Sequence, residues 1–224
     1  MLLNCFVVLA AYSIAQDSNE SEALMIESEA FSELESLKSR FSINKDVDSS
    51  IELAFYTAIS FMPDDLSSTR IRVKNAKINT SLSARPTVLS LLFRRKKKRK
   101  YIIRINDNVK GTIPLFKDAS FNAKVGVLGH EISHIVDYNR RSFGGVINRL
   151  FDYSSNERKA AYEQEIDSMT IWSGLGWQLK DWMAFVQDSP VATEEYKEFK
   201  RDIYYTEPEI EGKIEEFEND STND

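Results

Sequence analysis

The residues of this chain with the spacing to do chemistry lie near its centre. There Val127-Leu128-Gly129-His130-Glu131-Ile132-Ser133-His134-Ile135-Val136 sets an HExxH pattern inside an apolar run. On an α-helix, residues four apart share a face, so the imidazoles of His130 and His134 can turn toward one ion. Glu131, one position on from His130, then stands beside that ion without bonding to it, placed to take a proton from a bound water. Ile132 and Ser133 carry no charge and Ile135 and Val136 are apolar, as a buried helix requires. HExxH is short and arises by accident on amphipathic helices. Against accident, these are the only two histidines among 224 residues, and both fall in the motif.

A catalytic zinc takes three protein ligands and leaves a fourth position to water. With no third histidine the remaining ligand is a carboxylate. Tyr162-Glu163-Gln164-Glu165-Ile166-Asp167, in the next long helical pattern, supplies the candidates. Glu163 and Asp167 are four apart and share a face. The natural division of labour makes Glu163 the ligand and Asp167 the acceptor that orients one histidine through its other ring nitrogen. Glu165 points elsewhere on the helix and is the second choice. Manganese or iron also suits a set of two histidines and one carboxylate, and zinc is preferred because of the HExxH helix.

HExxH followed by a downstream ExxxD is similar to the gluzincin metallopeptidases, from thermolysin-like enzymes to the membrane-bound CAAX prenyl proteases and their bacterial heat-shock relatives. The resemblance implies that His130, His134 and Glu163 bind zinc, that Glu131 is the catalytic base, and that Asp167 supports a histidine. The segment Gly174-Leu175-Gly176-Trp177-Gln178-Leu179, before Trp182, also resembles short uncharacterised bacterial proteins with zinc-protease features. The similarity covers residues 125–182. Some gluzincins stabilise the oxyanion with a His, Tyr or Arg. This chain has no spare histidine, and Tyr153, Tyr162 and Arg158 are the side chains to consider, none of them singled out. It also lacks the transmembrane helices of the membrane-bound relatives, so their lipid-modified substrates are not carried over.

The elements that must position these residues follow from periodicity. Apolar residues at three- and four-residue steps predict helices over 19–41, 49–61, 122–138, 156–172, 180–186 and 193–205. Pro63 ends the second, Gly144 and Gly145 break the chain, and Gly174 and Gly176 end the helix bearing ExxxD. Residues 70–78, 87–93 and 101–105 read as strands of a small antiparallel or mixed sheet. The strand over 101–106, just upstream of the metal helix, is expected to be an edge that holds an extended substrate by backbone pairing. Asp137 and Tyr138 are expected to brace the end of the HExxH helix. Trp172, Trp177 and Trp182 read as aromatics packed around the second motif helix. The fold expected is α+β and zincin-like, one domain over 16–206, followed by an acidic tail over 207–224 that is poor in apolar residues and expected to be flexible.

Charged residues are 29% and apolar residues 42% of the chain, an ordinary globular composition. A net charge of −6 argues against nucleic acid as a partner. The acidity is interrupted by a solidly basic run over 94–100, from Arg94 to Lys100. Read plainly, that run is a solvated hairpin tip or an edge strand guarded by lysine; read more sharply, it is a contact for anionic lipid or envelope polymer. Residues 1–15 carry no charge and end in Ser13-Ile14-Ala15, which fits a signal peptide cleaved after Ala15 and export from a bacterial cell. The stretch is too short to span a bilayer, so the mature chain is expected to have no membrane span. Cys5, the one cysteine, falls inside it and leaves the mature chain without a disulfide.

The function these readings converge on is hydrolysis of a peptide bond in a peptide or protein substrate by metal-activated water, with Glu131 as general base. The alternative is a non-catalytic, zinc-stabilised binding or scaffold protein of the envelope. A third reading, an unrelated helical adaptor with an accidental motif, predicts that no metal is bound.

Overall fold

The computed structural model describes residues 24–221, so the signal-peptide reading of residues 1–15 lies outside the described part. In chain order the elements are α1 (Glu27–Phe41), β1 (Lys45–Asp46), α2 (Ser49–Ser60), β2 (Arg70–Ala76), β3 (Leu82–Pro86), α3 (Val88–Phe93) and β4 (Lys100–Asn106). They are followed by α4 (Phe121–Arg140), α5 (Phe143–Asp152), α6 (Asn156–Thr170), a π-turn (Ile171–Leu175), α7 (Gly176–Asp188), α8 (Glu194–Ile203) and α9 (Glu207–Ser221). The class is α+β, predominantly helical, with one small sheet.

That sheet has the order β1-β2-β4-β3 and is mixed. β2 runs parallel to both β1 and β4, and β3 pairs antiparallel with β4. Ile71 and Val73 of β2, with Tyr101, Ile103 and Ile105 of β4, alternate inward and are buried. β4 is therefore paired along both sides and cannot be the substrate-holding edge expected of residues 101–106. β3 is the edge strand beside it, with β1 at the opposite edge, and was not anticipated because Leu82-Ser83-Ala84-Arg85-Pro86 lacks an apolar alternation. Residues 87–93, expected as a strand, form the short helix α3. The basic run accordingly lies in the connection between the antiparallel neighbours β3 and β4, after α3, with a single 3₁₀ turn at Lys96–Lys98, and its last residue, Lys100, opens β4.

Helix α4 starts where the Ser120 hydroxyl accepts the amide of Ala123, and residues 125–138 are buried throughout. A helix apolar on all sides must be surrounded, and α4 packs against α2, α6, α7 and β3. The approach of α7 is close enough that a Cβ on Gly126 would run into the Gln178 carbonyl and the Leu179 amide. Gly144 and Gly145 do not break the chain. They lie in the first turn of α5, where Ser142 caps the helix by accepting the amide of Gly145. Gly174 does interrupt its helix, at φ +94°, a conformation that favours glycine. The segment expected as a flexible tail is helix α9, because Ile210 and Ile214, four apart, bury themselves against Ile171, Leu179 and Met183.

Candidate metal centre

The site is built where α4 crosses α6. His130 and His134 project from one face of α4, Glu163 from the facing side of α6, and the three are buried with their ligand atoms within 4.8 Å of one another. The Oε2 oxygen of Glu163 lies 3.2 Å from the Nε2 nitrogen of His130 and 3.2 Å from that of His134. Three tetrahedral ligands bonded at about 2.0–2.1 Å stand roughly 3.3 Å apart. These separations, and a donor set of two imidazoles and a carboxylate, fit a metal ion.

The other ring nitrogens are held by different partners. Nδ1 of His130 lies 2.8 Å from Oδ1 of Asp167. Nδ1 of His134 lies 3.1 Å from the hydroxyl of Tyr162. That hydroxyl donates to Oδ2 of Asp137 at 3.4 Å, so it accepts the His134 N–H and relays it to a carboxylate. Asp137 is gripped by Arg141 and Arg149, and although burial opposes its charge these two hold its carboxyl below the ordinary range. Both imidazoles thus carry hydrogen on Nδ1 and offer Nε2 toward Glu163. The hydroxyl of Tyr153 donates to the remaining oxygen of Glu163 at 2.9 Å.

Electrostatics follow the same geometry. Burial disfavours charge on Glu163, but His134 and His130 outweigh it and hold its carboxyl well below the ordinary value. Burial likewise works against charge on His130, and hydrogen bonds to Asp167 and Glu163 reverse this, lifting the imidazole from 6.5 to about 10. Glu131 differs from both. It is buried, burial raises its pKa against the opposing pull of His134 and His130, and its Oε2 has no hydrogen-bond partner. An orphaned carboxylate oxygen beside a metal-ligand cluster is an acceptor waiting for a proton donor.

Glu131 and His130 open onto a cleft walled by Ser81, Leu82, Val127 and Trp182 and closed by Lys200 and Tyr204. Lys200 is buried, its ammonium lies 3.9 Å from the centroid of the Tyr204 ring, and no carboxylate of the described residues is within 4.0 Å of it. Nothing in the sequence pointed to Lys200 or Tyr204, which reach the cleft from α8 and the link to α9, long after both motifs.

Glu165, the second choice of ligand, faces away from the metal group and pairs with Arg149 at 2.6 Å. The hydroxyls of Tyr153 and Tyr162 are committed to Glu163 and His134, and Arg158 is exposed at the start of α6. Asp137 does brace the motif helix, through Arg141 and Arg149. Of the tryptophans, Trp182 is buried and lines the cleft, Trp177 packs against the cluster around Ile210, and Trp172 is exposed. Compared with protein-family models, curated proteins and solved structures, the chain matches none.

Proposed function

We propose that this chain is a zinc-dependent peptidase with a zincin-like arrangement, in which His130, His134 and Glu163 hold the metal and Glu131 is the general base. The observation that carries the reading is the pairing of a buried three-donor group with a buried, unpartnered carboxylate oxygen on the adjacent residue. A purely structural site gains nothing from a base next to it and commonly saturates zinc with a fourth protein ligand.

When bound, zinc supplies Lewis-acid polarisation of a carbonyl and of a water molecule. Glu131, raised by burial, accepts the water's proton and returns it to the leaving amine. Asp167 and Tyr162 hold the two imidazoles by Nδ1 so that the donors keep their aim while charge moves. Lys200 lines the same cleft and brings an ammonium group to it, a cation able to stabilise a developing oxyanion. An extended substrate would add to the open edge of β3, running beside Leu82 toward Glu131, where backbone pairing tolerates varied side chains. Peptide or protein substrates and an exported location belong to this reading.

The depth of the site, with Glu163 only 3% exposed, favours one second reading, a zinc-stabilised scaffold that cleaves nothing. Metal content of the purified chain beside Glu131→Gln and Glu163→Ala, with peptide-library cleavage on the same samples, separates them. One zinc per chain, lost in Glu163→Ala and kept in Glu131→Gln while cleavage disappears, is expected. Zinc without cleavage by any form leaves the scaffold, and absence of zinc overturns both.

A further inference from the structure

Helix α3 is unusual for a short helix in a small domain because its apolar side chains point outward. Val88, Leu89, Leu92 and Phe93 are 67%, 72%, 53% and 79% exposed. At helical spacing these four positions form one continuous face, since 88 and 92, 89 and 92, and 89 and 93 are three or four apart. The opposite face holds α3 in place. Ser90 is buried, its hydroxyl 3.1 Å from the carbonyls of both Thr87 and Lys100, to either of which it can donate, and accepting the Lys100 amide at 2.9 Å, and Leu91 packs on the core. Four large apolar side chains on one rigid face exceed the scattered exposure normal for a soluble surface.

Immediately after this face come Arg94, Arg95, Lys96, Lys97 and Lys98, all exposed. No carboxylate of the described residues lies within 4.0 Å of any of the five, in a chain with 35 acidic residues and a net charge of −6. The link is nonetheless fixed. Arg99 is buried and donates to the carbonyls of Tyr138 and Arg141 at 2.9 Å each, and Lys96 donates to that of Arg140 at 2.7 Å. An ordered apolar face bordered by unneutralised cations is the chemistry of a segment lying in the headgroup region of an anionic membrane.

We propose that α3 and the basic link after it form a docking surface for an anionic phospholipid bilayer, with Leu89 and Phe93 entering the acyl boundary and Arg94, Arg95, Lys97 and Lys98 meeting the headgroups. Charge selects this occupant. A neutral apolar partner would answer α3 and leave the cations unmatched, whereas a soluble polyanion would answer the cations and leave α3 in water.

The test is co-sedimentation of the full chain with phosphatidylcholine vesicles with and without phosphatidylserine. It is repeated with Leu89→Ser/Phe93→Ser and with Arg95→Glu/Lys97→Glu/Lys98→Glu, all at exposed positions and checked for unchanged far-ultraviolet dichroism. The unaltered chain is expected to bind only the anionic vesicles. Removing the two apolar side chains lowers partitioning by about tenfold for each, and charge reversal abolishes binding, as does high salt. A chain that stays in solution, or variants that bind as well as the unaltered chain, overturn the proposal. So does loss of binding on charge reversal alone with the apolar pair dispensable, which marks a surface for soluble polyanions.

Discussion

The carboxylate of Asp167 takes His130 on one oxygen, Nδ1 to Oδ1 at 2.8 Å, and accepts the backbone amide of Tyr205 on the other at 3.0 Å. One side chain thus aims a candidate metal donor and anchors the chain between α8 and α9, next to the Tyr204 that lines the cleft. Asp167→Asn can keep only part of this pattern, because its amide nitrogen cannot accept either N–H. Metal affinity is expected to fall about tenfold to a hundredfold, read by competition with a chromophoric chelator. The Tyr205 amide should exchange faster with deuterium in the same variant. Unchanged affinity would mean that Asp167 only braces the helices.

Tyr162 joins His134 to Asp137, and its ring lies under the guanidinium of Arg149, whose Cζ is 4.2 Å from the ring centroid. Tyr162→Phe keeps the ring and removes the relay. Affinity for the metal should drop by about tenfold, with folding stability reduced by only about 1 kcal/mol. A ring that serves the core alone would leave the affinity where it was.

His130 sets the pH dependence. Its folded pKa, about 10, lies above the unfolded value of 6.5. Without metal, its protonation therefore contributes stability in full below pH 6.5, and that contribution is lost as pH rises toward 10. A metal needs Nε2 free of hydrogen, so apparent affinity should rise with pH across this window, and uptake near pH 7 should release about one proton. Calorimetric titration in buffers of different ionisation heat measures that number, and the absence of any released proton would contradict the geometry around His130.

Gly126 lets α7 approach α4 at backbone distance. Gly126→Ala should cost about 3 kcal/mol in urea unfolding, because the obstructing atoms are backbone and cannot rotate away. A loss below about 0.5 kcal/mol would show that the two helices part easily.

The candidate metal group was legible in the sequence because covalent spacing does most of the positioning. Once α4 and α6 exist, His130 and His134, and Glu163 and Asp167, share faces by helical geometry alone. The cleft was not legible. Lys200 and Tyr204 come to it through tertiary packing, with no periodic or motif signal. The sheet was misjudged where local pattern and environment part company. Val88-Leu89-Ser90-Leu91-Leu92-Phe93 is apolar enough for a buried strand, yet it is a helix with most of those side chains in water. In α9, two isoleucines among many acidic residues suffice because they land four apart on an apolar cluster.

β3 has one further consequence, for the behaviour of concentrated solutions. A strand whose outer side is free to accept a visiting backbone is equally ready to accept the same strand of a neighbouring molecule, and chains joined that way grow into aggregates. β3 has only five residues, carries the exposed Arg85, and ends at Pro86, which has no amide hydrogen to give. These features shorten and interrupt the ladder that a second copy could build. Any extended guest at this edge would meet Arg85 and Pro86 as a second copy does, so colloidal solubility and access to the edge depend on the same two residues.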